Sequence, residues 1–302
     1  MSWLNPARPG YPYPEIAGYL LSFLSWEGTS TVETRDRIAS GLAADMSARG
    51  GVGRGGIDYA FDTGMALTGL LRHEQVAGRL PEPVMADRLY DFVVRCIAGR
   101  SAYVGESDTD PSHWSVSYGC HLLKLVIALT AYEEARSLRG PSDWVRQLVA
   151  DLVPLCDEGR FRINDLSGET YTHAHCYAVE GLLALDGGAM RGEFRPVIEG
   201  AADWLARAQL DDGGVPSRHD GERALAGAHT DCTAQAVRIW SLVDRQRYSG
   251  QIGRGAAFLH EMEKGGAFRY RPDSDDMNTW ATMFAVQALR WADEGGDWQW
   301  MV

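Results

Sequence analysis

Residues Gln209–Leu242 read QLDDGGVPSRHDGERALAGAHTDCTAQAVRIWSL. A two-glycine turn leads into the short strand-like run GGVPSR, and after a polar loop comes HTDCTAQAVRIWSL from His229. That last segment opens on a polar cluster and continues with small and large apolar residues on all sides. The same opening recurs in YPEIAGYLLSFL from Tyr13, FDTGMALTGLL from Phe61, HWSVSYGCHLLKLVIAL from His113, HAHCYAVEGLLAL from His173 and NTWATMFAVQALRW from Asn278. Successive starts differ by 48, 52, 60, 56 and 49 residues. A period near fifty is one helical hairpin plus its loops, and periodicity of this kind marks a repeat architecture.

Between these segments lie amphipathic stretches at Thr31–Ala48, Glu82–Ala98, Pro141–Cys156, Phe194–Gln209 and Ile252–Met262. In Phe194–Gln209 the residues Val197, Ile198, Ala201, Trp204, Leu205 and Ala208 recur at three- and four-residue steps, while Glu199, Asp203 and Arg207 fall elsewhere. That is the pattern of a half-buried helix. The opening segments lack a polar face and are expected to be buried all round. An inner and an outer ring of helices follows, with six inner helices and five outer ones. The termini (Met1–Tyr11 and Ala292–Val302) then close the ring or leave it notched. The connections GGVGRGGIDY, GRSAYVGE, GRFRIN, GGVPSR and GGAFRYR each put glycine just past a helix end and follow it with a short alternating run. Such runs suit a left-handed cap and a short strand or hairpin. No low-complexity linker divides residues 1–302, which read as a single all-α domain, an (α/α)6 toroid with short β-hairpin lead-ins.

From Tyr11 to about Trp291 the chain resembles the α/α-toroid proteins, namely the six-hairpin carbohydrate enzymes and the terpenoid cyclase and protein prenyltransferase toroids. The resemblance is carried by the six hairpin repeats and by QLDDGG at Gln209–Gly214, which looks like the Q-x-x-D-G-G turn of those repeats. It implies a central funnel lined by the first turns of the inner helices. Those turns hold Tyr13 and Glu15; Asp58, Tyr59 and Asp62; His113, Trp114 and Tyr118; Tyr171, His173 and His175; His229 and Asp231; Asn278 and Trp280. His173, His175, His229, Asp231 and Asp62 are the candidates for proton transfer, since histidine titrates near neutral pH and a buried carboxyl can hold its proton. Tyr13, Glu15, Tyr59, His113, Trp114, Tyr118, Tyr171, Asn278 and Trp280, together with Arg218, are candidates for substrate binding.

Several of these positions carry a plainer reading. Asp62 and Asp231 could cap their helices. His173 and His175 diverge by about 200° if both are helical, so both would not face one funnel. His173, His175, His229, Asp231 and Cys232 are zinc-ligand types, but their spacing matches no recognised zinc signature, so no cofactor is expected, with a zinc ion held by this cluster as the alternative. Asp273-Ser-Asp275-Asp276 imitates a class II cyclase acid motif out of register and reads as a solvated acidic loop. Gly50–Gly56 lacks a Walker lysine and is no phosphate cradle. The arginines of the lead-ins (Arg54, Arg160, Arg162, Arg218, Arg269 and Arg271) would anchor a carboxylate or phosphate, or else pair with Asp165, Asp220 and Asp273.

Composition narrows the partners. Against 29 basic residues stand 41 acidic ones, a net charge of −12, which disfavours nucleic acid and anionic membranes. No apolar run suffices to span a bilayer, no secretion signal is evident, and five cysteines without CxxC spacing suit a reducing compartment, so a cytoplasmic monomer or homodimer is expected. YPEIAGYL and FDTGMALTGLL are similar to segments of toroid proteins from bacterial polysaccharide gene clusters. The leading expectation is therefore an intracellular isomerase, lyase or hydrolase acting on a sugar or glycosylated metabolite by acid/base chemistry. HTDCTA also looks like the Asp-Cys-Thr-Ala motif of oxidosqualene cyclases. That resemblance implies the alternative of a single-toroid polyene cyclase with Asp231 as initiating acid. A non-catalytic binding toroid is the third reading.

Overall fold

The computed structural model describes residues 13–106, 114–138, 140–165, 168–188 and 190–302. His113 and the N-terminal residues expected to help close the ring lie outside them. The inner helices are α1 (Pro14–Glu27), α3 (Ala60–Ala77), α5 (Leu125–Ala135), α7 (Thr172–Gly187), α9 (Thr230–Asp244) and α11 (Thr279–Glu294). Each packs on the next, and α11 returns to α1, so the inner ring closes. The outer helices are α2 (Val32–Asp45), α4 (Val84–Ala98), α6 (Asp143–Leu152), α8 (Arg195–Ala208) and α10 (Ser249–Met262). The burial contrast drawn from the sequence is present: Ala60–His73 of α3 is buried without a break, whereas α6 buries Val145, Leu148 and Leu152 on one stripe.

No sixth outer helix occurs among the described residues. After α11 the chain turns instead through a 3-10 helix at Trp298–Trp300, and buried Met301 and Val302 enter the ring axis. Arg72 donates to the Met301 carbonyl at 2.6 Å, and Lys124 and Arg238 donate to that of Val302 at 3.1 and 2.8 Å.

Short antiparallel pairs precede the inner helices. β1 (Gly53–Arg54) pairs with β2 (Ile57–Tyr59), β4 (Cys156–Asp157) with β5 (Arg160–Phe161), β6 (Thr170–Tyr171) with β7 (Arg218–His219), and β8 (Glu263–Lys264) with β9 (Ala267–Phe268). GRSAYVGE forms no hairpin of its own; its strand β3 (Tyr103–Val104) adds to the edge of β2. The turn at Gln209–Gly214 is built as its sequence suggests. Gln209 Nε2 donates to the Gly213 carbonyl at 2.9 Å, and Asp212 Oδ1 accepts from the Gly214 N–H at 2.9 Å. Gly213 has φ +86°, and a Cβ there would meet the Arg254 carbonyl oxygen at 2.3 Å, so only glycine fits.

One contact fixes the register of four inner helices. The fourth residue of each accepts the backbone N–H of its lead-in: Thr63 from Val52 at 3.0 Å, Thr233 from Val215 at 2.9 Å, Thr282 from Phe268 at 3.2 Å, and His175 Nδ1 from Phe161 at 3.2 Å. The second residue of each inner helix, about 200° around, then faces the ring interior. Those residues are Glu15, Phe61, His173, Asp231 and Trp280. Four residues on, the next layer holds Tyr19, Met65, Tyr177, Gln235 and Phe284; three further on lie Ser22, Thr68, Glu180, Arg238 and Gln287. All ten are buried. The third repeat departs from this register. Its helix does not begin near His113; instead Trp114–Val116 and Cys120–Lys124 are 3-10 turns, and these bring buried His121 and Lys124 into the same two layers.

Candidate active site

Below the first turns the ring axis is filled. The Tyr19 hydroxyl donates to that of Tyr177 at 2.8 Å, and the Tyr177 ring packs on Phe61 at 4.7 Å between centroids. Beneath these rings the Glu180 carboxylate bridges Lys124 at 2.9 Å and Arg238 at 2.6 Å. The Lys124 ammonium lies 4.8, 4.4 and 5.4 Å from the centroids of Tyr19, Tyr177 and Phe284, within cation–π range. Burial lowers its pKa to about 8, against the pull of Glu180. These layers make a floor, so the accessible chemistry sits in the turn above.

Two groups of ionisable side chains occupy that turn. The first joins α1 to α3. Glu15 keeps some access to the funnel, yet it lies deep enough that burial pushes its pKa up to about 7; hydrogen bonding by Tyr13 and the Lys124 charge pull the other way. Burial, then the neighbouring Glu15 carboxyl, hold Asp62 well above the ordinary carboxylate range. Two adjacent acids cannot both ionise cheaply, so this pair retains a proton at neutral pH. Arg54 lies 5.5 Å from the centre of the Tyr13 ring and moderates both acids.

The second group joins α7, α9 and α11. His173 Nδ1 is 3.3 Å from Asp231 Oδ2. That oxygen also accepts from the Tyr270 hydroxyl at 3.2 Å and from the Trp280 indole N–H at 3.4 Å, while Oδ1 accepts from the Cys232 N–H at 2.9 Å. His229 caps α9 at the rim with its ring 4.7 Å from that of Tyr270, and Trp114 stands 6.0 Å from His173. Neither Asp62 nor Asp231 is a helix cap, since the cap positions are Tyr59 and His229.

Other expected site residues are placed elsewhere. His175 faces outward, packs on Trp204 of α8 at 4.7 Å and pins the lead-in strand; burial lowers its pKa to about 3. Its role in the repeat is the one threonine fills in three other helices. Asp58 accepts from Ser47 at 2.6 Å and Arg49 at 2.7 Å, away from the funnel. Asn278 caps α11, its Oδ1 accepting from Ala281 at 2.8 Å. Tyr118 reaches outward to Asp151 at 3.2 Å. Tyr171 carries Arg218 over its ring at 5.5 Å, and Arg218 pairs with Glu169 at 2.6 Å. Tyr59 packs beside Tyr103 and stays near Arg54. Arg162 pairs with Asp165 and Arg271 with Asp273, whereas Asp220 pairs with Arg223. Asp273 and Asp275 are exposed, as a solvated acidic loop should be.

Sequence reading did not single out Tyr270, which the β9 lead-in delivers to Asp231. It also missed His121, wedged between Phe61 and Trp114 at 5.6 and 5.3 Å, whose pKa burial lowers to about 3. Among the described residues neither buried His121 ring nitrogen has a hydrogen-bond partner. A separate cleft of about 910 Å³ opens at the opposite end of the ring, between the ends of α3, α5 and α7. In that cleft Arg136 pairs with Glu74 at 3.1 Å, while Arg72 donates to the Met301 carbonyl. Among the described residues no helix is long and apolar enough to cross a membrane.

The arrangement of inner and outer helices around a filled axis is that of the (α/α)6 toroid. An unsaturated glucuronyl hydrolase specific for heparin superposes with a TM-score of 0.69 at 11% identity, over 97% of this chain and 90% of that one. A polysaccharide lyase gives 0.65 at 11% identity, over 97% and 94%. An ent-copalyl diphosphate synthase from Streptomyces platensis gives 0.62 at 15% identity; it covers 92% of this chain, which spans 50% of the synthase. At such identities the likeness is one of fold. The chain matches no protein family model and no curated protein sequence.

Proposed function

We propose that the protein is an enzyme acting on a sugar or glycosylated metabolite by acid/base chemistry at a ring carbon, through elimination, hydrolysis or epimerisation. The observation that carries this reading is the chemistry gathered at the first turns of the inner helices. The ring axis is filled from the second turn downward, and ionisable groups and aromatic faces lie in the turn above. A polyhydroxylated ring needs hydrogen-bonding partners along its wall and flat apolar surfaces to stack on. Trp114, Trp280, Tyr13 and Tyr59 offer the faces. The Glu15–Asp62 pair holds the proton to be given, the His173–Asp231 pair is placed to take one, and His229 stands at the rim. Arg54 at the mouth favours a substrate with a carboxylate or phosphate, such as a uronate. The lyase and hydrolase activities named for two proteins of the same fold support this direction. An intracellular setting is supported by five unpaired cysteines.

The cyclase alternative fares less well on two counts. A polyene needs a deep, dry cavity, and here the axis is occupied. Moreover, both Asp231 oxygens accept hydrogen bonds, from an indole, a phenol and an amide, which suits a carboxylate rather than a proton-donating acid. Thermal-shift screening against uronates, sugar phosphates and glycosides beside isoprenoids and polyenes tests the reading, since a ligand of the folded form raises the melting temperature. Stabilisation by sugars alone is expected. Stabilisation by isoprenoids alone would overturn it.

A further inference from the structure

We propose that His173, Asp231 and Cys232 form a three-ligand site for a divalent metal ion, zinc in the first instance, with one coordination position open to the funnel. One donor atom from each residue lies within 4.8 Å of the other two. Imidazole nitrogen, carboxylate oxygen and thiolate sulfur are all zinc donors, and three protein ligands with a free fourth position is the pattern of a catalytic rather than a structural site. The cluster comes from the first turns of two adjacent inner helices, so the ring holds it rigidly.

Three further observations point to a ligand. Among the described residues buried His173 Nδ1 makes no hydrogen bond, and it stands 3.3 Å from Asp231 Oδ2. The cluster meets the funnel through His173, of whose side chain 17% stays accessible, whereas 3% of that of Asp231 does. The outer partners are also in place: Tyr270 and Trp280 hydrogen-bond the Asp231 carboxylate, as second-layer donors do around metal ligands. Charge balance agrees. A carboxylate and a thiolate with a neutral imidazole cancel a dication, so binding releases the Cys232 thiol proton to solvent and leaves no net buried charge. A bound ion would supply Lewis-acid polarisation to a ligand entering the open position.

With an ion bound, His173 and Asp231 serve as its ligands in place of the proton-accepting role given them above, and the inference is tested without turnover. The whole protein, stripped with a chelator and checked for fold by circular dichroism, is titrated with cobalt(II) and then with zinc as competitor. The expected result is one equivalent of cobalt with a sulfur-to-cobalt charge-transfer absorption that zinc abolishes. Cys232→Ser should remove that absorption, and Cys176→Ser should leave it. Asp231→Asn, nearly isosteric and expected to fold, should keep the absorption at saturation while weakening cobalt binding by at least about tenfold. Absence of the absorption in the unmutated protein, or Asp231→Asn binding cobalt as tightly as the unmutated protein, would overturn the proposal. Neither outcome bears on whether sugars stabilise the fold.

Discussion

His173 and His175 are separated by one alanine on the same helical turn, yet they belong to different parts of the molecule. His173 stands in the funnel against Asp231, while His175 looks into the seam between α7 and α8 and holds the backbone of Phe161. Helix geometry alone divides them, because two residues turn the side chain through about 200°. The same division runs through the whole ring. Second residues of the inner helices face the ring interior, fourth residues of four of them pin the lead-in strands, and deeper layers fill the axis. A histidine in this protein is therefore interpreted by its place in the repeat rather than by its neighbours in sequence.

That comparison can be broken at several points. The largest effect is expected in the funnel. Asp231→Asn should keep the fold and lower turnover of a responding sugar by about 10²- to 10⁴-fold, the usual worth of a positioned proton-transfer group; steady-state assays beside circular dichroism check this. In the floor, Lys124→Met removes one partner of a buried ion pair and should cost about 3–5 kcal/mol of stability in denaturant unfolding. At the seam, His175→Ala leaves the Phe161 N–H buried and unpaired, a loss of about 1–3 kcal/mol, part of which His175→Thr should restore.

The smallest effect is one of pH. Glu15 is more basic in the folded chain than its ordinary value of 4.5, rising to about 7. The stability it contributes is full at acid pH and is lost as pH climbs through that range. Between about pH 5 and about pH 8 the melting temperature should therefore fall, and Glu15→Gln should flatten that slope. An unchanged slope in the variant would remove Glu15 from the acid pair.

Much of this organisation was legible in the sequence. The near-fifty-residue period yields the six inner and five outer helices, and Asp62, His173, His229, Asp231 and Trp280 lie at the starts of inner helices as the repeat implies. The axis was harder to read. Lys124 interrupts an apolar run, and Glu180 and Arg238 look like isolated charges on separate helices; only the closed ring shows that the Glu180 carboxylate sits between the two cations. The third repeat misled because its inner helix starts with 3-10 turns, which shift its register and bring His121 rather than Tyr118 inward. His175 could have been assigned correctly, since it aligns with Thr63, Thr233 and Thr282 at the fourth helical position. Tyr270 gives no such signal, as its partner Asp231 lies 39 residues away along the chain.

The most direct test sets the two histidines side by side. Turnover of a sugar that stabilises the protein would be measured for His173→Ala and His175→Thr, both confirmed folded. His175→Thr should retain most of the activity, and His173→Ala should lose about 100-fold or more, as expected for a group in the proton path. Equal losses, or the reverse order, would contradict the division of the ring into a reactive mouth and a structural seam.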